Sequence, residues 1–334
     1  MPAKRAQSQP YNIFCIAQAG RLEYEAIPFV LSFRQANPDF AGRLFVAEPQ
    51  PGPLWSGETR ISAPVRAILE AAGAEILPFE SKAFGESYPY GNKIEALSAL
   101  PAGTPFVFFD TDTIFTAPLS QVAFDFNRPS ASMRRSGTWP EPPLYGPGYG
   151  DIWKSLYDKF GLDGFEDTLD LSQPDEYWRR YMYFNAGWFF GPDPVEFGNR
   201  FLRYARAILD DPPDELACQS FDPWLDQIAL PLVIHSFGGG RPGPELDDLD
   251  GAVSCHYRAL PLMYAREDSA VLDTIETLVA PNPIKKVLKT YEPAKKLIFQ
   301  RKGRKLRAHF DEGGLPRTEK MLRNQIKRKG LWLR

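Results

Sequence analysis

Two carboxylates stand two residues apart in PFVFFDTDTIFT, residues 105–116, directly after an apolar run. A carboxylate is costly to bury unless it is paired, hydrogen-bonded or bound to a metal. In an extended segment, residues i and i+2 project to the same side. Asp110 and Asp112 can therefore aim two oxygen donors at one point, at the carboxyl end of a buried strand. Such a pair suits Mg²⁺ or Mn²⁺, the cations that carboxylates commonly hold against phosphates. The competing reading is an ordinary turn and cap after a strand.

The elements around this stretch must position it. Apolar runs at 13–17, 43–48, 74–80 and 105–110 read as four strands. Helical spacing marks 25–37, 62–73 and 92–100, so strands alternate with helices and a parallel sheet covered on both faces is expected. Such sheets bind ligands at the carboxyl ends of their strands, where strand order reverses. Residues 129–150 are rich in proline and glycine and read as a long loop, a lid over the site. Beyond it, 181–191 reads as a strand broken at 185–187, and 196–211 as an amphipathic helix. Residues 221–234 read as a turn, then a helix running into a strand. Residues 253–260 read as a late strand or loop carrying His256. Gly238 to Gly240 read as a hinge, because no GK[ST] follows to make a phosphate cradle.

With 334 residues and 43% apolar content, the chain can bury a large core. Its three cysteines, Cys15, Cys218 and Cys255, have no CxxC spacing, which speaks against a disulfide framework or a cysteine zinc site and fits a reducing compartment. The N-terminal MPAKRAQSQPYN does not read as a signal peptide, and no run of about 18 apolar residues suggests a membrane span. The net charge of −3 is unevenly placed: residues 281–334 hold 17 Lys/Arg against 4 Asp/Glu. An acidic body, 1–280, followed by a basic helical extension, 281–334, is expected.

The order of motifs resembles the retaining glycosyltransferases of the GT-A fold, family 8 type. A lysine-led helix, GNKIEAL with Lys93, precedes the strand ending in Asp-x-Asp. Phe-Asn-Ala-Gly follows at 184–187, then Asp226-Gln227 inside WLDQIAL, then His256 in CHYR. The resemblance spans roughly residues 11 to 260. It implies a mixed α/β sheet of GT-A type with helices on both faces. It also implies transfer of a sugar from a nucleotide-sugar donor to a glycan, lipid-linked or other hydroxyl acceptor, with retention of configuration. Asp110, Asp112 and His256 are the implied ligands of Mn²⁺ or Mg²⁺, the imidazole tilting the choice towards Mn²⁺. Asp226, Gln227 and Asn185 are the implied catalytic residues. Ala17, Gln18, Lys93, Thr111, Ala186, Gly187, Asp222 and Arg258 are the implied substrate contacts. The chain departs from the family in having Gln18 where an acidic residue is usual. After His256 it reads HYRALPLMYAR in place of a glycine and a lysine, and Arg258 or Arg266 is expected to replace that lysine.

Residues 284–307 interleave basic and apolar side chains. They read as helices packed on the body with a charged outer face, or as a patch for an anionic membrane surface; nucleic acid is the least favoured partner. The extension is expected to hold no donor contact, and the protein to be cytoplasmic, with a peripheral site at the inner membrane face. Two other classes fit less well. A nucleotidyltransferase making a nucleotide sugar would open with a glycine-rich phosphate loop, of which AQAGRLEYE is a poor version. A non-catalytic binding protein would act through its tail.

Overall fold

Side chains alternate along the central strands and divide the core in two. In the computed structural model, which describes residues 10–133 and 136–333, Ile13 and Cys15 of β1 (Asn12–Ile16) face one core and Phe14 and Ile16 the other. Strand β4 (Phe106–Phe109) alternates in the same way, Val107 and Phe109 against Phe106 and Phe108. Near-continuous apolar strands of this kind belong to sheets buried on both faces.

The chain runs through β1, α1 (Arg21–Ala36), β2 (Leu44–Gln50), α2 (Ala63–Ala71), β3 (Glu75–Glu80), the short helix α3 (Asn92–Glu95) and β4. It continues through β5 (Thr113–Phe115), β6 (Ala131–Met133), α4 (Tyr149–Lys159), β7 (Phe184–Gly191), α5 (Pro194–Asp210), α6 (Leu225–Ser236) and β8 (Ser254–His256). The remaining helices are α7 (Leu260–Arg266), α8 (Ser269–Leu278), α9 (Asn282–Leu288), α10 (Glu292–Ala294), α11 (Lys302–Gly313) and α12 (Glu319–Arg328). The main sheet has the order β3-β2-β1-β4-β7-β6. Strands β1 to β4 are parallel, while β7 is antiparallel to both β4 and β6. The sheet is thus mixed, with α1, α2, α7 and α8 contributing to one core and α3 to α6 to the other.

Three segments differ from the sequence reading. Residues 221–234 hold no strand: α6 runs unbroken through Pro231 to Ser236. Its residues from Ile228 to Ile234 are all buried, so no polar face was there to reveal the helical period. The stretch 184–191 is one strand, not two, but it carries a bulge: Ala186 has φ 55, and the pairing with β6 slips between Ala131 and Met133. The proline-rich 129–150 is not loop throughout. Ala131–Met133 forms the edge strand β6, Trp139 is buried, and α4 begins at Tyr149; residues 134 and 135 lie outside the described residues, as does most of the N-terminal segment read for a signal peptide.

The basic extension packs on the body. Leu288, Leu297, Leu306, Phe310, Leu322 and Ile326 are buried in the same core as α1 and β1. Tyr291 stacks on Tyr24 with ring centroids 4.8 Å apart, and Arg304 pairs with Asp273 and Glu276 at 2.6 and 2.9 Å. No helix among the described residues is long and apolar enough to cross a membrane.

Candidate active site

The Asp-x-Asp turn is held by two strands from far along the chain. Just past β4, the Asp110 amide donates to the Gly187 carbonyl at 2.8 Å. Strand β5 pairs antiparallel with β8, placing Thr113 opposite His256, and the Tyr257 amide donates to the Asp112 carbonyl at 2.9 Å. These ladders bring the imidazole to the carboxylates. His256 Nε2 lies 3.1 Å from Asp112 Oδ1 and 3.8 Å from Asp110 Oδ2. One ligand atom from each of Asp110, Asp112 and His256 falls within 4.8 Å of the others. Two carboxylate oxygens and an imidazole nitrogen make a donor set that fits Mn²⁺ or Mg²⁺.

Gly187 makes this approach feasible. A Cβ there would lie 2.2 Å from His256 Nδ1, so any larger residue would push the ring away. The bulge beside it is stitched by Ser132. That hydroxyl donates to Asn185 Oδ1 and accepts from the amides of Gly187 and Trp188 at 2.9 and 3.2 Å. The Asn185 amide nitrogen donates to the Met133 carbonyl at 2.9 Å. The side chain of Asn185 thus holds β6 to β7 while lining the cleft.

Beneath the turn runs a buried chain of charges. Lys93, at the start of α3, has Nζ 3.2 Å from Asp110 Oδ1 and 3.2 Å from Asp226 Oδ2. Asp226, in the first turn of α6, accepts from the Tyr88 hydroxyl at 2.7 Å, and its amide donates back to that oxygen at 2.9 Å. Burial opposes the charge on Lys93, but Asp110 and Asp226 outweigh it and hold the ammonium well above its ordinary pKa. Burial raises Asp110, against the pull of Lys93, and Asp112 adds to the rise. Burial also disfavours the imidazolium of His256, but the contact with Asp112 outweighs it, so the pKa lies above the ordinary histidine value. Two clustered carboxylates that draw in Lys93 and His256 have the electrostatics of a cation site.

These residues open on a cavity of about 920 Å³. Of the residues singled out in the sequence, Gln18, Lys93, Asp110, Thr111, Asp112, Asn185, Asp226, Gln227, His256 and Arg258 line it. Gln18 accepts from Asn92 at 3.0 Å. Ala186 and Gly187 lie in the bulge behind the lining and Ala17 is fully buried in the core. Asp222 is exposed and does not reach the cavity. Arg258 and Arg266 both bond Glu319, at 3.2 and 2.6 Å.

Sequence reasoning missed part of the lining. Arg21, the first residue of α1, has Nη1 3.6 Å from Asp112 Oδ2 and 3.1 Å from Glu25. Its place just past the first strand was the available signal. The extension, expected to hold no donor contact, reaches the same cavity: Thr318, Glu319, Lys320, Arg323, Asn324, Lys327 and Trp332 line it.

A family comparison gives the class of protein that carries this cluster. The family model of the Rhodobacterales glycosyltransferase domain matches residues 13–238, and the chain belongs to that family. The protein is therefore a glycosyltransferase, as the motif order implied, and not a nucleotidyltransferase or a non-catalytic binding protein. No curated protein matches the sequence. Among solved structures, the galactosyltransferase LgtC in complex with donor and acceptor sugar analogs is 15% identical with a TM-score of 0.41, covering 70% of this chain and 73% of that one. The bifunctional glycosyltransferase WbbM is 15% identical with a TM-score of 0.43, covering 85% of this chain and 52% of its own. The glycosyltransferase GlyE of Streptococcus pneumoniae TIGR4 is 11% identical with a TM-score of 0.37, covering 70% and 46%. This chain thus spans about half the length of the last two.

Proposed function

We propose that this glycosyltransferase transfers a hexose from a nucleotide-sugar donor to a hydroxyl of a glycan or lipid-linked acceptor, in a metal-dependent and retaining reaction. The observation that carries the reading is the convergence of Asp110, Asp112 and His256 within 4.8 Å on the wall of the cavity. These three would hold Mn²⁺ or Mg²⁺. When bound, the cation acts as a Lewis acid on the departing diphosphate.

The chain's own residues supply position and charge. Lys93 supports Asp110 from below and fixes Asp226 beside the cavity, where Asp226 and Gln227 would take sugar hydroxyls. Asp226 is buried and held by Tyr88 and Lys93, and the amide of Gln227 is a poor nucleophile. Neither suits covalent attack, which favours a same-face displacement needing only positioning and charge stabilisation. Gln18 just past β1, Arg21 at the start of α1 and Asn92 at the start of α3 line the cavity and would face the nucleoside. The three cysteines, Cys15, Cys218 and Cys255, without CxxC spacing, support a reducing, cytoplasmic setting. Lys286 on α9 and Lys289 just after it are exposed while Leu288 is buried, which leaves a basic face for anionic headgroups at the inner membrane surface.

The test is a thermal-shift screen of nucleotide sugars with and without Mn²⁺, followed by donor hydrolysis without acceptor. One nucleotide sugar should raise the melting temperature only with metal and be hydrolysed slowly with metal present. The absence of any metal-dependent shift across the screen would overturn the reading. The membrane face is tested by sedimentation with phosphatidylserine vesicles. Binding is expected at low salt and release at high salt.

A further inference from the structure

The last helix lines the same cavity as the cation site. Along α12, Leu322 and Ile326 are buried in the core, so the opposite residues must face outward. Lys320, Arg323 and Lys327, spaced i, i+3 and i+7, all line the cavity. Neither Lys320 nor Lys327 has an ion-pair partner among the described residues. Trp332 lines the wall beside them, with the Arg323 guanidinium 5.3 Å from its ring centroid. Glu319 fixes the helix in place. It takes bonds from Arg258 at 3.2 Å, Arg266 at 2.6 Å and Arg323 at 2.6 Å. Arg258 lies two residues beyond His256, so Glu319 ties the start of α12 directly to the strand that carries the third candidate ligand.

We propose that the basic edge of α12 closes the donor site, with Lys320 and Lys327 binding the oxygens of the diphosphate and Arg323 holding the helix through Glu319. This rests on the nucleotide-sugar reading above. Asp110, Asp112 and Asp226 already engage Arg21, Lys93 and His256, while Arg258 and Arg266, the expected phosphate contacts, are tied to Glu319. A diphosphate arriving there meets cations already engaged by carboxylates. The lysines of α12 are the cations on the cavity wall that are not. A stripe that lines a cavity is also poorly placed for a flat bilayer. The contact chain from His256 through Arg258 and Glu319 to Arg323 puts it on the side of the cation. That favours the leaving diphosphate over a phosphate carried by an acceptor.

The experiment titrates inorganic pyrophosphate into the full-length protein with and without Mn²⁺, and Mn²⁺ alone. It compares wild type, Lys320→Gln/Lys327→Gln and Asp112→Asn. The double variant keeps good helix formers and leaves Glu319 and its three arginines intact. Its Mn²⁺ affinity and melting temperature should match wild type, while its Mn²⁺-dependent pyrophosphate affinity falls about tenfold, as for lost charge-assisted bonds. Its affinity should also depend less steeply on salt. Unchanged pyrophosphate affinity, with Mn²⁺ binding intact, would overturn the role of α12 and leave the donor reading standing. Pyrophosphate binding that is lost in the double variant but never needs Mn²⁺ would show an anion site separate from the cation, and would also overturn the proposal. A wild type that binds no Mn²⁺, or an Asp112→Asn variant that binds it normally, would sink the donor reading and this one with it.

Discussion

Lys93 joins Asp226 at 3.2 Å beneath the cavity and so locks the start of α6 to the turn that carries Asp110. Removing the ammonium would leave two carboxylates, one of them fully buried, facing each other without a cation. Breaking a buried pair in this way costs about 3–5 kcal/mol. Lys93→Met should therefore lower the unfolding free energy by about 3 kcal/mol in urea denaturation. A loss below about 0.5 kcal/mol, the size of a surface substitution, would mean that the pair is solvated and does not organise the site.

Asp112 accepts from His256 and lies near Arg21. Asp112→Asn preserves the shape and one oxygen but loses the charge that a cation needs. Mn²⁺ binding, followed by calorimetry, should become undetectable, and the circular dichroism spectrum should not change. Binding as tight as in wild type would remove Asp112 from the ligand set.

Gly187→Ala tests the packing of β7 against the imidazole. The new Cβ would lie 2.2 Å from His256 Nδ1, so the ring must move. Misplacing a ligand by its support costs about 10–100-fold in metal affinity. The variant should lose Mn²⁺ affinity on that scale while retaining cooperative unfolding. Full affinity would mean that His256 does not bind the cation in this position.

The central strands were legible because parallel strands buried on both faces are short apolar runs, and 13–17, 43–48 and 105–110 stand out as such; 74–80, the half-exposed edge strand β3, was legible from its own apolar residues. The pair Asp110 and Asp112 was legible from its place at the end of an apolar run, but the two carboxylates converge through the turn between β4 and β5, not along an extended strand as their spacing suggested. His256 was legible only from the order of motifs, since its approach depends on β8 pairing with β5 across some 140 residues of sequence. Helix α6 was misread in its second half because IALPLVI is apolar on every side, and a helix buried all round carries no periodic signal. The contribution of α12 was hidden for a different reason. Its basic residues look like any solvated face until the core positions of Leu322 and Ile326 show which way that face turns.

Glu319 offers a pH test of how firmly α12 is docked. Burial raises its pKa, but Arg266 and Arg258, with Arg323 from its own helix, outweigh that and bring it down to about 2. Between about pH 4.5 and 2 the unfolded chain takes up a proton that the folded chain refuses. Stability from this group is therefore fully present above pH 4.5 and is lost as pH falls towards 2. Wild type should lose stability more steeply than Glu319→Gln over that interval, and the two should run parallel above it. Parallel curves throughout would mean that the three arginines do not hold Glu319 in solution.

The last prediction concerns the whole basic extension. Leu288, Leu297, Leu306, Phe310, Leu322 and Ile326 are buried in the core that α1 and β1 share. Each such side chain contributes about 1.5–3 kcal/mol by leaving water. Six together rival the whole stability of an ordinary domain, about 5–15 kcal/mol. A chain ending at residue 280 would expose the apolar surfaces of α1, α7 and α8 that these residues cover. It should lose its cooperative thermal transition and bind a hydrophobic dye. A full-length chain with Lys286 and Lys289 changed to glutamine should instead keep its melting temperature, since both lysines are exposed. A 1–280 chain that melts cooperatively at the wild-type temperature would mean that the extension docks without supporting the body, and that its charge, not its packing, is its contribution.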